Sequence, residues 1–409
     1  LNYTVPRKYG DSGGFQPGST FKAFVLAAAV EQGIALNTQI QAPQTRTFQQ
    51  NEFKVCDGQN YASTQDYPVS NSTGEGTFNL YTGTQRSVNT FYIALSQQTG
   101  LCKPYKLAKQ MGIVGLDDAD KWMVPSFALG VASVSPLEMA EAYATFAARG
   151  LHCTSRPVTA IEDIAGNTLK EYPSKCRQVM ENSTADAVND VLRGVIEPGG
   201  FASSWQLDSP AAGKTGTTQD GKSVWFVGYT PTMAAAAMIA GANQSGTPIS
   251  LTGQTVGPNY IDSASGSGFA APIWGTAMRN VMGELPNEDF VAPSASDVAG
   301  VPTTVPSVGG LSVDSATRQL EDAGFLVSYG GYVNSGYAEG LVAYSSPGGG
   351  AVVPSSSSVT LYQSNGRPPK PAKPSGNNNG NGNGNGNGNG NGNGNGRGNG
   401  NGNGNGNGR

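Results

Sequence analysis

Three strand-like runs, at residues 211–218, 223–229 and 232–240, follow one another with only tight turns between them. The first turn holds Asp220-Gly221 and the second Thr230-Pro231, so the runs form two consecutive hairpins and imply an antiparallel sheet. Helical patterns elsewhere must then bury their apolar stripes against that sheet. One begins near Ser19, carries Ala23, Phe24, Leu26, Ala27 and Val30 inward and stops at Gly33. Others are expected at 87–100, at 184–197 and at 135–149, where Ser135-Pro136-Leu137-Glu138 reads as a capping box. The class that follows is α+β, an antiparallel sheet flanked by helices.

Residues 34–86 are polar and turn-rich, show no clean period and are expected to wrap the surface near a site. The main unit is expected to end near 290, with a Pro/Ala/Ser/Val linker over 291–300. A small α+β unit then spans 301–365, with a helix at 313–323 and strands at 325–329, 341–344 and 358–363. From 366 to 409 a Pro/Lys stretch gives way to Asn-Gly repeats. Asn-Gly makes a hairpin only between apolar strands, and none flank it here, so this tail is expected to be disordered.

Charge and cysteines remove several functions. The 25 basic and 29 acidic residues leave a net charge of -4, with no Lys/Arg cluster of the kind phosphate neutralisation needs, which argues against nucleic acid as a partner. No apolar run approaches the ~20 residues that span a bilayer. The single His152 and the absence of a C-x-x-C pair speak against a metal site, and no cofactor motif is present. His152 is expected on the surface, in a loop. Cys56, Cys102, Cys153 and Cys176 permit three pairings or four free buried thiols. A hairpin expected between Cys153 and Cys176 favours that pair, leaving Cys56 with Cys102 and pointing to an oxidising, extracytoplasmic setting.

Three short motifs supply the groups that acyl transfer needs without histidine. In Ser19-Thr20-Phe21-Lys22 the nucleophile and an amine share one helix face. Burial and nearby positive charge would depress the Lys22 pKa and make it a base. Ser87-Val88-Asn89 offers a proton relay and an orienting amide. Lys214-Thr215-Gly216-Thr217 offers a cation and two hydroxyls for a terminal carboxylate, with Gly216 letting a ligand lie close to the strand. The backbone N–H groups of Ser19 and Thr217 would make an oxyanion hole. Taken singly, each motif is equally a capped helix, a cap pair or an edge strand; their ordered combination favours chemistry.

With these motifs the chain resembles the transpeptidase domain of penicillin-binding proteins, most like the bifunctional class A enzymes. The segments 15–22, 86–90, 128–150 and 213–231 carry the likeness over roughly residues 1–285. Residues 301–365 resemble a PASTA module, through Val301-Pro302, Glu321-Asp322-Ala323-Gly324-Phe325 and Ser346-Pro347-Gly348-Gly349. The resemblance implies a β-lactamase-like fold and a D,D-transpeptidase that cross-links D-Ala-D-Ala stem peptides of peptidoglycan through a Ser19 acyl-enzyme. Its partners would be lipid-linked precursor, existing wall and β-lactams, with the PASTA module on the wall. The enzyme would work at the extracytoplasmic face of the membrane, anchored by sequence upstream of this chain. A D,D-carboxypeptidase, a β-lactamase-type hydrolase and a non-catalytic wall-binding protein are the alternatives. In the family, part of the sheet comes from chain before the nucleophile helix, and eighteen residues precede Ser19 here. An unpaired sheet edge, bared apolar helix faces and a chain prone to aggregate or weakly active alone are therefore expected.

Overall fold

The protein's structure, a computed structural model, describes residues 1–369. The Asn-Gly repeats lie outside the described residues.

A 3-10 turn, Gly18–Phe21, runs directly into helix α1, Lys22–Glu31. Nine of the ten α1 residues are buried, which suits an Ala-rich helix that is apolar almost all round. Helices α2 (Asn89–Thr99), α3 (Cys102–Gln110) and α5 (Asn182–Arg193) pack around it, and α4 (Pro136–Ala147) lies against the sheet and α5. The capping box of α4 forms as its sequence predicts. Glu138 accepts from Ser135 N (2.8 Å) and Oγ (2.7 Å), and Ser135 Oγ accepts from Glu138 N (3.4 Å).

Strands β1 (Ala212–Thr217), β2 (Ser223–Thr230), β3 (Met233–Ala242) and β4 (Pro248–Ile249) form an antiparallel sheet in the order β4-β3-β2-β1. Every residue of β2 is buried because helices cover both faces. Trp225, Val227 and Tyr229 enter the core shared with α1, α4 and α5. The intervening Phe226 joins a second core with Trp274 of helix α6 (Ala271–Val281), whose Nε1 donates to Gly228 O at 3.0 Å. This two-residue alternation is what a central strand between two helical layers requires.

Among the described residues β3 pairs with β4 only at Gly241 and Ala242, leaving its outer edge open over the remaining residues. The open edge agrees with the sequence expectation. Bared apolar helix faces do not extend to α1, which is covered on all sides.

Residues 34–86, illegible as a pattern, hold two-stranded ribbons, 3-10 turns and a short capped helix, Leu80–Gln85. The ribbon of Thr45–Gln49 and Asp66–Ser70 stands beside α2. Cys56–Cys102 ties the connection within that ribbon to the start of α3, and Cys153–Cys176 joins two short strands at the base of an exposed hairpin. Both bonds are the expected pairs. The stretch expected as a linker holds a short capped helix, Ala295–Ala299, and its Asp297 and Val298 carbonyls accept from Leu36 N and Asn37 N. In the small unit Val313–Asp322 buries Ala316 and Leu320 against a three-stranded sheet of Leu326–Val333, Ser358–Ser364 and Val342–Ser346.

Candidate active site

The turn that carries Ser19 is held from three sides by backbone contacts that only glycine permits. Gly18 sits at φ +59°, in the left-handed region, and a Cβ there would meet Thr217 O at 2.7 Å. A Cβ on Gly130 would strike Gly18 O at 2.2 Å, and one on Gly216 would strike Pro17 O at 2.1 Å. This last contact corrects the expected role of Gly216. Its missing side chain admits the chain's own Pro17-Gly18 turn, and so brings Ser19 beside Thr217. Hydrogen bonds from Ser223 Oγ to Gln16 O (2.6 Å) and from Tyr143 Oη to Thr20 O (2.7 Å) fix the same turn.

Lys22 and Lys214 converge on Ser87. Lys22 Nζ donates to Ser87 O (2.7 Å) and Asn89 Oδ1 (2.7 Å) and lies 3.3 Å from Ser87 Oγ. Lys214 Nζ donates to Ser87 Oγ (2.8 Å) and reaches Thr215 O (3.1 Å) and Thr215 Oγ1 (3.4 Å). Ser87 lies before α2 rather than in it, at φ +51°, a left-handed conformation that costs a non-glycine residue about 1 kcal/mol or more. That conformation turns both its carbonyl and its hydroxyl to the lysines. Among the described residues Ser19 Oγ has no hydrogen bond to Lys22.

Both lysines are fully buried, and no carboxylate among the described residues pairs with either. Burial, reinforced by the neighbouring Lys214 charge, holds the Lys22 pKa well below the ordinary lysine value. Burial lowers that of Lys214 to about 7. Burial thus disfavours the charged form of both lysines, and in Lys22 the charge of Lys214 adds to it. If cationic Lys214 anchors a carboxylate, kcat/KM for carboxylate-bearing ligands falls as pH rises through about 7. A stopped-flow acylation series from pH 5 to 9 checks this, and a flat profile across that range would contradict it.

Two cavities meet at Ser19. The smaller, 270 Å³, is lined by Ser19, Ser87, Asn89, Thr215 and Thr217, with Ser72, Thr73, Phe201 and Ser265–Ser267. The larger, 760 Å³, shares Ser19, Ser72, Asn89 and Thr217 and extends past Tyr67 and Ser126 to Gln219. Five of the eight residues expected at the site thus line the smaller cavity directly. Lys22 and Lys214 act on it through Ser87, and Gly216 sets the spacing behind it. Thr217 Oγ1 accepts from Gly266 N (3.1 Å) and keeps its own proton to donate.

Sequence reasoning missed Tyr67, Ser72, Thr73, Phe201 and Ser265–Ser267, which belong to no motif: Tyr67 is on a short ribbon strand, and Ser265 caps a π-helical turn, Gly266–Ala270. His152 is not on the surface: it is buried on a short strand, with Nδ1 3.2 Å from Thr145 Oγ1 and Nε2 3.4 Å from Glu141 Oε1. It lines neither cavity. Burial lowers its pKa, against the opposing pull of Glu141.

Residues 11–258 match the family model of the penicillin binding protein transpeptidase domain, and residues 303–365 match that of the PASTA domain. The chain is 29% identical over 290 residues to penicillin-binding protein 1A of Aquifex aeolicus, covering 70% of this chain and 36% of that protein. It is 29% identical over 312 residues to penicillin-binding protein 1A of Mycobacterium tuberculosis, covering 71% and 35%. It thus spans roughly a third of the length of these curated relatives. Among solved structures, the penicillin-binding protein PonA1 from Mycobacterium tuberculosis superposes with a TM-score of 0.53 at 27% identity, covering 69% of this chain and 72% of that one. Penicillin-Binding Protein 1A from Haemophilus influenzae, at 21% identity and a TM-score of 0.56 over 73% of this chain and 47% of that one, shares the fold. The Ser19 turn, two buried lysines on Ser87 and the matching family models lead to one conclusion: the chain belongs to the penicillin-binding protein transpeptidase family and carries a PASTA domain.

Proposed function

We propose that the chain is a serine D,D-transpeptidase of peptidoglycan, its transpeptidase domain at 1–290 and its PASTA module at 301–365. The observation that carries this reading is the pair of cavities sharing Ser19, since acyl transfer to an amine needs room on both sides of one nucleophile.

In the first step Ser19 Oγ attacks the carbonyl carbon between two D-Ala residues and Lys22 takes its proton. Resting hydrogen bonds of catalytic groups are often long, so substrate binding is what closes the gap between Ser19 and Lys22. The oxyanion is met by the N–H groups of Ser19 and Thr217. Thr218 N donates inward to Ser223 O (3.1 Å), so strand alternation turns the Thr217 N–H away from β2, toward the Ser19 turn. Lys214, Thr215 and Thr217 hold the terminal carboxylate. The C–N bond then breaks, and Ser87, fed by Lys22, passes the proton to the departing D-Ala amine. In the second step an acceptor amine forms a new C–N bond, the ester C–O bond breaks, and the proton returns to Ser19. Covalent capture of β-lactams at Ser19 follows from the same first step.

Two disulfides support an extracytoplasmic location, and the PASTA module is proposed to contact the wall. The test supplies a D-Ala-D-Ala donor with and without an acceptor amine and separates products by mass. Ligated peptide that grows with amine concentration is expected. Hydrolysed donor alone, whatever the amine concentration, would make the enzyme a carboxypeptidase.

A further inference from the structure

The two cavities differ in charge. Behind the smaller one stand Lys22 and Lys214, both bonded to Ser87. The larger is lined by fifteen residues, from Gln16 to Gln219, and none of them is charged. Tyr67, the one titratable side chain among them besides the serine and threonine hydroxyls, is held as a neutral phenol, because burial raises its pKa to about 12. Charged side chains nearby are engaged elsewhere. Arg46 lays its guanidinium 4.4 Å over the Phe48 ring, and Asp66 accepts from Gln49 Nε2 at 2.6 Å. Asp220 and Lys222, just past Gln219, face each other at 4.0 Å.

On the acyl-transfer reading above, the cations fix the direction of the donor. Its terminal carboxylate goes to Lys214, so everything on the acyl side of the scissile carbonyl must lie in the larger cavity. A carboxylate there would lose water and meet no cation, whereas a carboxamide finds hydroxyls and amides of both hydrogen-bonding senses. We infer that the larger cavity selects donor peptides whose residue before the D-alanyl pair ends in a carboxamide rather than a free carboxylate. Gln219 and Ser126 are the specificity-determining residues, set on the wall where a cation would otherwise serve an acidic donor.

The experiment uses the full chain and two synthetic peptides ending in D-Ala-D-Ala, identical except for a carboxylate or a carboxamide on the preceding side chain. The carboxamide peptide is expected to release D-Ala with a kcat/KM at least about tenfold higher. In Gln219→Lys the gap is expected to close, through faster turnover of the acidic peptide. Equal rates, or preference for the acidic peptide, would overturn the inference while benzylpenicillin acylation at Ser19 left the acyl-transfer reading standing. Failure of both peptides together with benzylpenicillin would overturn that reading, and this inference with it.

Discussion

Lys22→Met is expected to lose about a thousandfold in the rate of Ser19 acylation while the chain still folds. On the proposed mechanism the loss follows from removing the buried amine on the helix into which the Ser19 turn runs. Two effects on stability oppose each other. The substitution strands Ser87 O and Asn89 Oδ1 without a donor, each costing about 1–3 kcal/mol at most, and it removes a buried amine with no carboxylate partner. The melting temperature is therefore expected to stay close to that of the parent.

The pH dependence separates this account from a structural lysine. A lysine whose folded pKa lies below its unfolded pKa binds fewer protons folded than unfolded between those two values. Stability of the parent must then rise with pH, from the depressed folded values of Lys22 and Lys214 up to the unfolded lysine value. Lys22→Met should flatten that rise. Chemical denaturation at pH 6, 8 and 9.5 reads it directly, and an unchanged slope would mean Lys22 is charged throughout and is no base.

Gly216→Ala carries the second large effect. Its Cβ would lie 2.1 Å from Pro17 O, 2.9 Å from Thr20 Cγ2 and 3.1 Å from Trp225 Cβ. Neither backbone can give way alone, because Pro17 O also receives the Thr20 hydroxyl at 3.0 Å and β1 is paired to β2 through its length. The strand and the nucleophile turn must part, moving Ser19 from Thr217. A destabilisation of about 1–3 kcal/mol and a loss of roughly a hundredfold in acylation are expected. Gly13→Ala is the control: nothing lies within 4 Å of its Cβ position, and both stability and acylation should hold. Equal behaviour of the two variants would refute the packing argument for Gly216.

Most of the sheet and its helices could be read from the chain because their signals are local. Asp220-Gly221 ends one strand and starts the next, and Ser135 with Glu138 starts a helix whatever lies around it. Ser19, Lys22, Ser87, Asn89 and Lys214 were singled out by three motifs in order, and the structure gathers them: both lysines bond Ser87, Lys22 bonds Asn89, and Ser19 lines the same cavity as Ser87 and Asn89. The walls were not. Tyr67 and Ser72 sit in and beside a short ribbon held by Cys56–Cys102 and by Asn71 Nδ2 on Thr90 Oγ1 (2.9 Å), contacts that leave no period. The close approach behind Gly216 and the burial of His152 depend on partners 199 and 11 residues away in sequence (Pro17 and Glu141) and were beyond any reading of local pattern.

The most direct measurement is intact-protein mass after incubation with benzylpenicillin, on the parent chain and on Ser19→Ala, with folding of both verified by circular dichroism. One covalent adduct on the parent and none on Ser19→Ala is the predicted result. No adduct on a folded parent, or an adduct that persists in Ser19→Ala, would contradict the assignment of Ser19 as the nucleophile.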